Sequence, residues 1–451
     1  MNLVWLTRDR PQTLLRSVRS CLAALRGKPS ELTLHAVHSG SAMATTVANL
    51  YSFGPYERYV FVCRLEEACA GHGIHPDVVR FALGPPAAAS RRLCDTGANR
   101  NLLLLLNAGK KFLSCDDDVL FECARWQNTM DLSGGVRDPY GMQFFDSEAS
   151  ARDAFSAQAP FSIPDFLSAH AKALGTAHSD GRIAITTTGI WGDSGVDGMR
   201  SFFLLRPDLF ARLCKTPDRL HQALHSRWVW RQTENLFLAL RAPFSAAFCG
   251  YDNTLPLPPF FPFGRGQDAA YPLALNGCAP GLWTAHLPGA IRHAPQAGVS
   301  PPNAGPPSPR INSILSVWWE HYLQETAQER RGYATASRYF RTLAEGGAFR
   351  ERYEATLIET LQTRVKALEK NYGQVEAGNG PAYDLWRATL LQELDQCGAM
   401  ARSAELRLPE ESQRVAFDQD GLHLVRSWVA LYADLLEAWP AIRHEAGELV
   451  R

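Results

Sequence analysis

The segment Thr96–Glu122, TGANRNLLLLLNAGKKFLSCDDDVLFE, constrains the fold more than any other part of the chain. A polar turn leads into an apolar helical pattern, Gly109 stops it, and a short strand precedes three consecutive aspartates. Side chains alternate along a strand, so the spacing predicts Asp116 and Asp118 pointing together where the strand ends, with Asp117 on the other side. Two carboxylates converging at the C-terminal edge of a strand lie where α/β proteins bind ligands. Carboxylate oxygens suit Mg²⁺ or Mn²⁺, ions commonly held by one or two carboxylates plus substrate phosphates. A metal-bound diphosphate is the natural ligand of such a turn. The plainer reading, a solvated acidic turn capping a helix, fits poorly behind the buried-looking strand Phe112–Cys115.

The surrounding pattern is α/β. Leu3–Leu6 reads as a strand, Pro11–Leu25 as a helix and Leu32–Val37 as a second strand, the arrangement that builds a mixed, mostly parallel sheet. The densest Pro and Gly stretch, Gln296–Arg310, has no periodicity and reads as a linker. Beyond it Leu357, Leu361, Val365, Leu368 and Tyr372 recur at helical spacing, as do Leu424, Trp428, Leu431, Leu435 and Trp439. The expected organisation is an α/β domain over 1–295, a linker over 296–310 and an all-helical domain over 311–451. Trp318, Trp319, Trp386, Trp428 and Trp439 read as helix-packing residues, with an acceptor groove or a homodimer surface as the alternatives.

Composition narrows the function classes. With 46 basic against 46 acidic residues the chain is formally neutral, which argues against nucleic acid as a partner. Its 10 cysteines form no CxxC pair and no zinc spacing, and read as buried thiols of a reducing compartment. No signal segment is apparent at the N-terminus. The apolar run Leu102–Leu106 is far shorter than the roughly 20 residues that span a bilayer. The expected location is therefore cytoplasmic.

Three motifs in order carry a family resemblance: Thr7-Arg8-Asp9-Arg10-Pro11, then Ala98-Asn99-Arg100-Asn101 with Ala108-Gly109, then Phe112–Val119 containing the aspartates. Over about the first 295 residues the chain resembles the GT-A glycosyltransferases, especially the inverting, family 2-like enzymes. The resemblance implies a Rossmann-like nucleotide-sugar-binding fold and places Thr7 and Arg8 beside the base of the donor. It places Arg100 toward the nucleotide and diphosphate, Asp116 toward the ribose, Asp117 within the same binding turn and Asp118 on the metal. For Arg100 the alternative is a surface salt bridge. Where family members commonly end the second strand with an acidic residue, this chain reads His38-Ser39, so these two are the candidates for the base edge.

Phe263–Asp268 looks like the family's G-x-[ED]-D segment, which assigns Asp268 as the general base, with a helix N-cap as the alternative. A downstream histidine often completes the metal shell in that family. His293 is the candidate here and His286 its rival. The run Thr186–Gly195 reads as a glycine-rich turn, with Trp191 stacking on a sugar and Asp193 accepting its hydroxyls, or as an ordinary tight turn.

The function so implied is metal-dependent, inverting transfer from a nucleotide sugar to a hydroxyl of a glycan, peptide, protein or small metabolite. A UDP-sugar is the favoured donor. The alternatives are a sugar-nucleotide nucleotidyltransferase and a catalytically silent carbohydrate- or protein-binding scaffold. The first usually needs a Gly-rich, Lys-containing loop after the first strand, which Thr7–Pro11 is not.

Overall fold

The computed structural model describes residues 1–7, 10–25, 32–38, 50–84, 95–127, 130, 140–178, 181–195, 205–213, 216–295, 309–376, 381–402, 408–409, 411–412 and 421–451. Arg8, Ser39, the His38 side chain and all of the proposed linker before Pro309 lie outside them.

The chain begins β1 (Asn2–Thr7), α1 (Pro11–Ala24), β2 (Thr33–His38), β3 (Leu50–Phe53), α2 (Pro55–Ala70), α3 (Pro76–Leu83) and α4 (Thr96–Leu106). It continues with β4 (Lys111–Asp116), β5 (Val119–Arg125), β6 (Gly141–Phe145), α5 (Glu148–Ser156), β7 (Ala159–Pro160), α6 (Ile163–Ala173), β8 (Ala177–His178) and β9 (Gly181–Asp193). Then come α7 (Pro207–Leu213), α8 (Pro217–His225), β10 (Trp228–Gln232), β11 (Phe237–Ala239), β12 (Phe248–Asp252), α9 (Gln267–Cys278) and β13 (Leu282–His293). The remainder is helical: α10 (Ile311–Glu325), α11 (Tyr333–Glu345), α12 (Phe349–Glu376), α13 (Pro381–Arg402) and α14 (Gly421–Leu449).

Local chemistry sets the elements around the site. Pro11 opens α1 at a position where its missing N–H is no loss, and Leu14, Val18 and Cys21 bury one face of that helix. Gly109, at φ +73°, supplies the left-handed residue that turns the chain from α4 into β4. Along β1 the alternation is clean: Leu3 and Trp5 join the apolar layer containing α1, while Val4 and Leu6 join the opposite layer containing α4.

The thirteen strands among the described residues form one sheet with the path β3-β2-β1-β4-β12-β9-β13-β5-β7. The expectation of a mostly parallel sheet is corrected. β3–β2, β2–β1, β1–β4 and β9–β13 are parallel. The pairs β4–β12, β12–β9, β13–β5, β5–β7, β9–β10, β10–β6, β11–β13 and β8–β9 are antiparallel. Parallel pairing requires crossovers, and the helical connections that supply them lie mainly between the first strands. The order 3-2-1-4 reverses direction at β1, so the C-terminal ends of β1 and β4 form the crevice in which open α/β sheets bind ligands.

The helical region does not stand apart from the α/β part. One apolar cluster runs from Val4, Leu103 and Phe112 through Phe261 and Phe263 to Trp318, Trp319, Phe340, Trp428, Tyr432 and Trp439. Trp386 packs instead on Phe210 of α7, its ring centroid 5.2 Å away. All five tryptophans of the helical region named above are buried, as helix-packing residues are. The eight described cysteines form no disulfide with one another. Among the described residues no helix is long and apolar enough to cross a membrane.

His170 of α6 is wholly buried, its Nδ1 lying 2.8 Å from the Thr186 hydroxyl, and burial lowers its pKa to about 3. The folded protein therefore keeps it neutral while the unfolded chain protonates it below about pH 6.5. Above that pH it has no effect on stability; below it, stability falls by about 1.4 kcal/mol per pH unit. His170→Gln, which can still bond Thr186, is expected to lessen the loss of thermal stability between pH 7.5 and pH 5. An unaltered pH slope in a melting series would refute that assignment.

Candidate active site

The acidic turn sits where the topology reverses. β4 ends at Asp116, and Asp117 and Asp118 form the turn into β5, so strand alternation does not govern where the last two point. The charge of Asp118 acts on Asp116 more strongly than that of Asp117, which turns away from the other two. Asp117 is fully buried and turns toward β1: the Thr7 hydroxyl donates to its Oδ2, and Arg10 Nη2 lies 2.6 Å from its Oδ1. Asp118 receives Arg10 Nη1 at 3.2 Å on Oδ2, and its Oδ1 lies 3.4 Å from His293 Nε2. Asp116, its side chain one-third exposed at 32%, faces Arg100 Nη2 at 3.6 Å.

Two assignments change as a result. Thr7 is 3% exposed and spends its hydroxyl on Asp117, so it braces the acidic turn rather than lying open to a base. Asp117 likewise has no exposed surface to offer a ligand and serves as an anchor for Thr7 and Arg10.

His293 ends β13 beside this turn. The Ala294 N–H donates to the Asp118 carbonyl at 2.8 Å, which ties the end of β13 to the turn. The His293 Nδ1 donates to the Asp193 carbonyl, leaving Nε2 directed at Asp118, the arrangement by which an outer partner orients a ligating imidazole. Burial opposes the charge on His293, but the hydrogen bond and charge of Asp118 outweigh it and raise its pKa to about 9. Burial opposes ionisation of Asp118 as well, yet His293 and Arg10 hold it down at about 2. Asp116 is pushed up to about 7 by the burial of its site, with Arg100 opposing and Asp118 and Asp117 adding to the rise. His286, the rival, is elsewhere: its Nδ1 lies 3.0 Å from the Tyr140 hydroxyl, its ring packs between Tyr140 and Phe237, and burial lowers its pKa to about 3.

Arg100 lies on α4 beneath the carboxylates, 4% exposed, with its guanidinium 5.8 Å from the Phe260 ring centre. Its Nε and Nη1 are buried without a hydrogen bond among the described residues. It is thus a positive charge enclosed under the site. The next residue explains how the distant Asp268 arrives there. Asn101 donates to the carbonyls of Ala82 and Phe260 and accepts the Phe260 N–H, clamping the segment before α9 onto α4. Gly97 permits that approach, since a Cβ there would sit 1.9 Å from the Phe261 carbonyl oxygen. Asp268 stands in the first turn of α9, with Gly266 rather than Asp268 at the N-cap. Its Oδ2 accepts the Ala246 N–H at 3.4 Å. Burial raises the Asp268 pKa, with Arg100 opposing.

The proposed sugar-binding wall is corrected. Thr186–Asp193 is not a turn but the greater part of β9. Gly189 is there because the β10 backbone crosses it: a Cβ would meet the Arg231 carbonyl oxygen at 1.9 Å. Trp191 is 1% exposed, stacks on Phe155 at 4.2 Å between centroids and donates its N–H to the Glu122 carbonyl. It offers no free face to a sugar. The Asp193 carboxylate is held by Arg227 at 2.8 and 3.1 Å, so its part near the site is played by its backbone carbonyl on His293.

Among the described residues no three His, Cys, Asp or Glu side chains converge as a complete metal cage. A divalent ion that also binds substrate phosphates needs only one or two protein ligands. Neighbouring ligands at the roughly 2.1 Å distance of Mg²⁺ lie about 3 Å apart, close to the 3.4 Å between Asp118 Oδ1 and His293 Nε2. The pair therefore fits such an ion. The N-terminal motif also contains Arg10, and the signal that locates it is Pro11, which fixes the start of α1 and sets Arg10 at its N-cap. No family model, curated protein or solved structure matches the chain.

Proposed function

We propose that the chain is a metal-dependent, inverting glycosyltransferase of the GT-A type. It moves a sugar from a nucleotide-sugar donor, with UDP-sugars favoured, to a hydroxyl of a glycan, peptide, protein or metabolite. The observation that carries this reading is the gathering of Asp118, His293, Asp116, Arg100 and Asp268 around the reversal point of the sheet. Asp118 and His293 Nε2 would hold Mn²⁺ or Mg²⁺, the imidazole giving up its Nε2 proton to solvent as the ion binds, and the bound ion would supply positive charge to the departing diphosphate.

The chain's own groups do the rest. The Asp193 carbonyl holds the imidazole in place, and Arg100 compensates the carboxylates from below. Asp268 takes the proton from the attacking hydroxyl; burial, which raises its pKa, makes it a stronger base than an exposed carboxylate.

The test is nucleotide release from UDP-, GDP- and dTDP-sugars with Mn²⁺ and a hydroxyl acceptor panel. Asp268→Asn is expected to lower transfer by about 10²–10⁴-fold while donor binding persists. Consumption of added pyrophosphate, with release of nucleoside triphosphate and sugar 1-phosphate from the same donors, would favour the nucleotidyltransferase. Neither release nor binding would favour the silent scaffold.

A further inference from the structure

Arg10 occupies an unusual place in the site. It spans two carboxylates, with Nη2 2.6 Å from Asp117 Oδ1 and Nη1 3.2 Å from Asp118 Oδ2. Its own side chain is 42% exposed, whereas those of Asp117 and Asp118 are 0% and 11% exposed. The aspartates are therefore set in the fold, and the guanidinium approaches them from the solvent side. Asp118 is the carboxylate that the glycosyltransferase reading places on the metal, and His293 sits on its other oxygen. A divalent ion between Asp118 and His293 would lie next to the Arg10 guanidinium, and like charges at that range repel.

We propose that Arg10 is a resident counter-cation that the metal must displace from Asp118, making metal binding an exchange of one cation for another. This inference rests on the glycosyltransferase reading and adds a form of control to it. With no donor present, Arg10 satisfies Asp118 and competes with the ion. When donor arrives, the displaced guanidinium has a new partner in the diphosphate oxygens, which match its planar donors. Metal and nucleotide therefore bind cooperatively, each removing a cost for the other. Arg10 is a positioning residue in this account, exchanging partners at the edge of the crevice. Asp117 remains anchored by Thr7 throughout.

The test is calorimetric titration of Mn²⁺ into the full chain, alone and with saturating UDP, for wild type, Arg10→Gln and Arg10→Lys. Wild type is expected to bind Mn²⁺ weakly alone and at least ten-fold more tightly with UDP. Arg10→Gln is expected to bind Mn²⁺ alone about ten-fold more tightly than wild type and to lose most of the UDP enhancement. Arg10→Lys should fall between them, since one ammonium can hold Asp117 without spanning to Asp118. It carries the test if the Gln variant fails to fold. Equal Mn²⁺ affinity in wild type and both variants, with the UDP enhancement intact, would overturn the exchange and leave the metal reading standing. Absence of Mn²⁺ binding in all three, with or without UDP, would overturn both.

Discussion

Asp118→Ala is expected to abolish cation-stimulated nucleotide release, lowering kcat/KM by at least about 10²–10³-fold, the range seen when a group stabilising transition-state charge is removed. The reason lies in the placement of the residue. Asp118 Oδ1 and His293 Nε2 are 3.4 Å apart, and no other histidine on β13 reaches this carboxylate. The substitution also leaves His293 without the charge that raises its pKa to about 9, so the imidazole should titrate lower in the variant. NMR titration of that ring provides a reading independent of turnover. Asp118→Asn, which preserves size and a hydrogen-bonding oxygen, guards against a loss caused only by misfolding. A rate unchanged in both variants, with Mn²⁺ stimulation preserved, would reject the site.

Trp439→Ala should be the most damaging single change to the fold. The ring is wholly buried and its N–H donates 2.8 Å to the Leu257 carbonyl, so it joins α14 to the segment between β12 and α9. Removing an indole from such a position costs about 3–5 kcal/mol. Trp439→Phe keeps much of the packing and leaves the carbonyl without its donor, for about 1–3 kcal/mol. Because the α/β and helical parts share one apolar cluster, unfolding followed by far-UV circular dichroism and by tryptophan fluorescence should give coincident transitions. A melting temperature unmoved by Trp439→Ala, or two well-separated transitions in the wild type, would contradict the shared core.

The legible parts of the chain were those with local causes. Pro11 and the spacing of Leu14, Val18 and Cys21 mark α1, and the apolar run with its Gly109 stop marks α4 and the start of β4. The acidic turn and its place after a buried strand were legible for the same reason. What failed was any inference that carried a local rule beyond its range. Alternation along β4 cannot place Arg10 or His293 beside Asp118, since β4 stops at Asp116 and those partners come from the N-cap of α1 and the end of β13. The glycines near Trp191 suggested a turn, although Gly189 serves the close passage of another strand, a contact that lies far away in sequence.

From sequence alone, the α/β character of the first part, the helical character of the last and the position of the acidic turn were determined, because propensity, periodicity and turn chemistry act over a few residues. Only the tertiary structure decided that the sheet is mainly antiparallel beyond β4 and that α14 belongs to the same core as β1. It alone chose His293 over His286 as the neighbour of Asp118, turned Trp191 into packing and revealed Arg10 across the acidic pair. Each of these depends on which distant segments the burial of apolar surface brings together, and a charge acquires its partner only once that packing is complete.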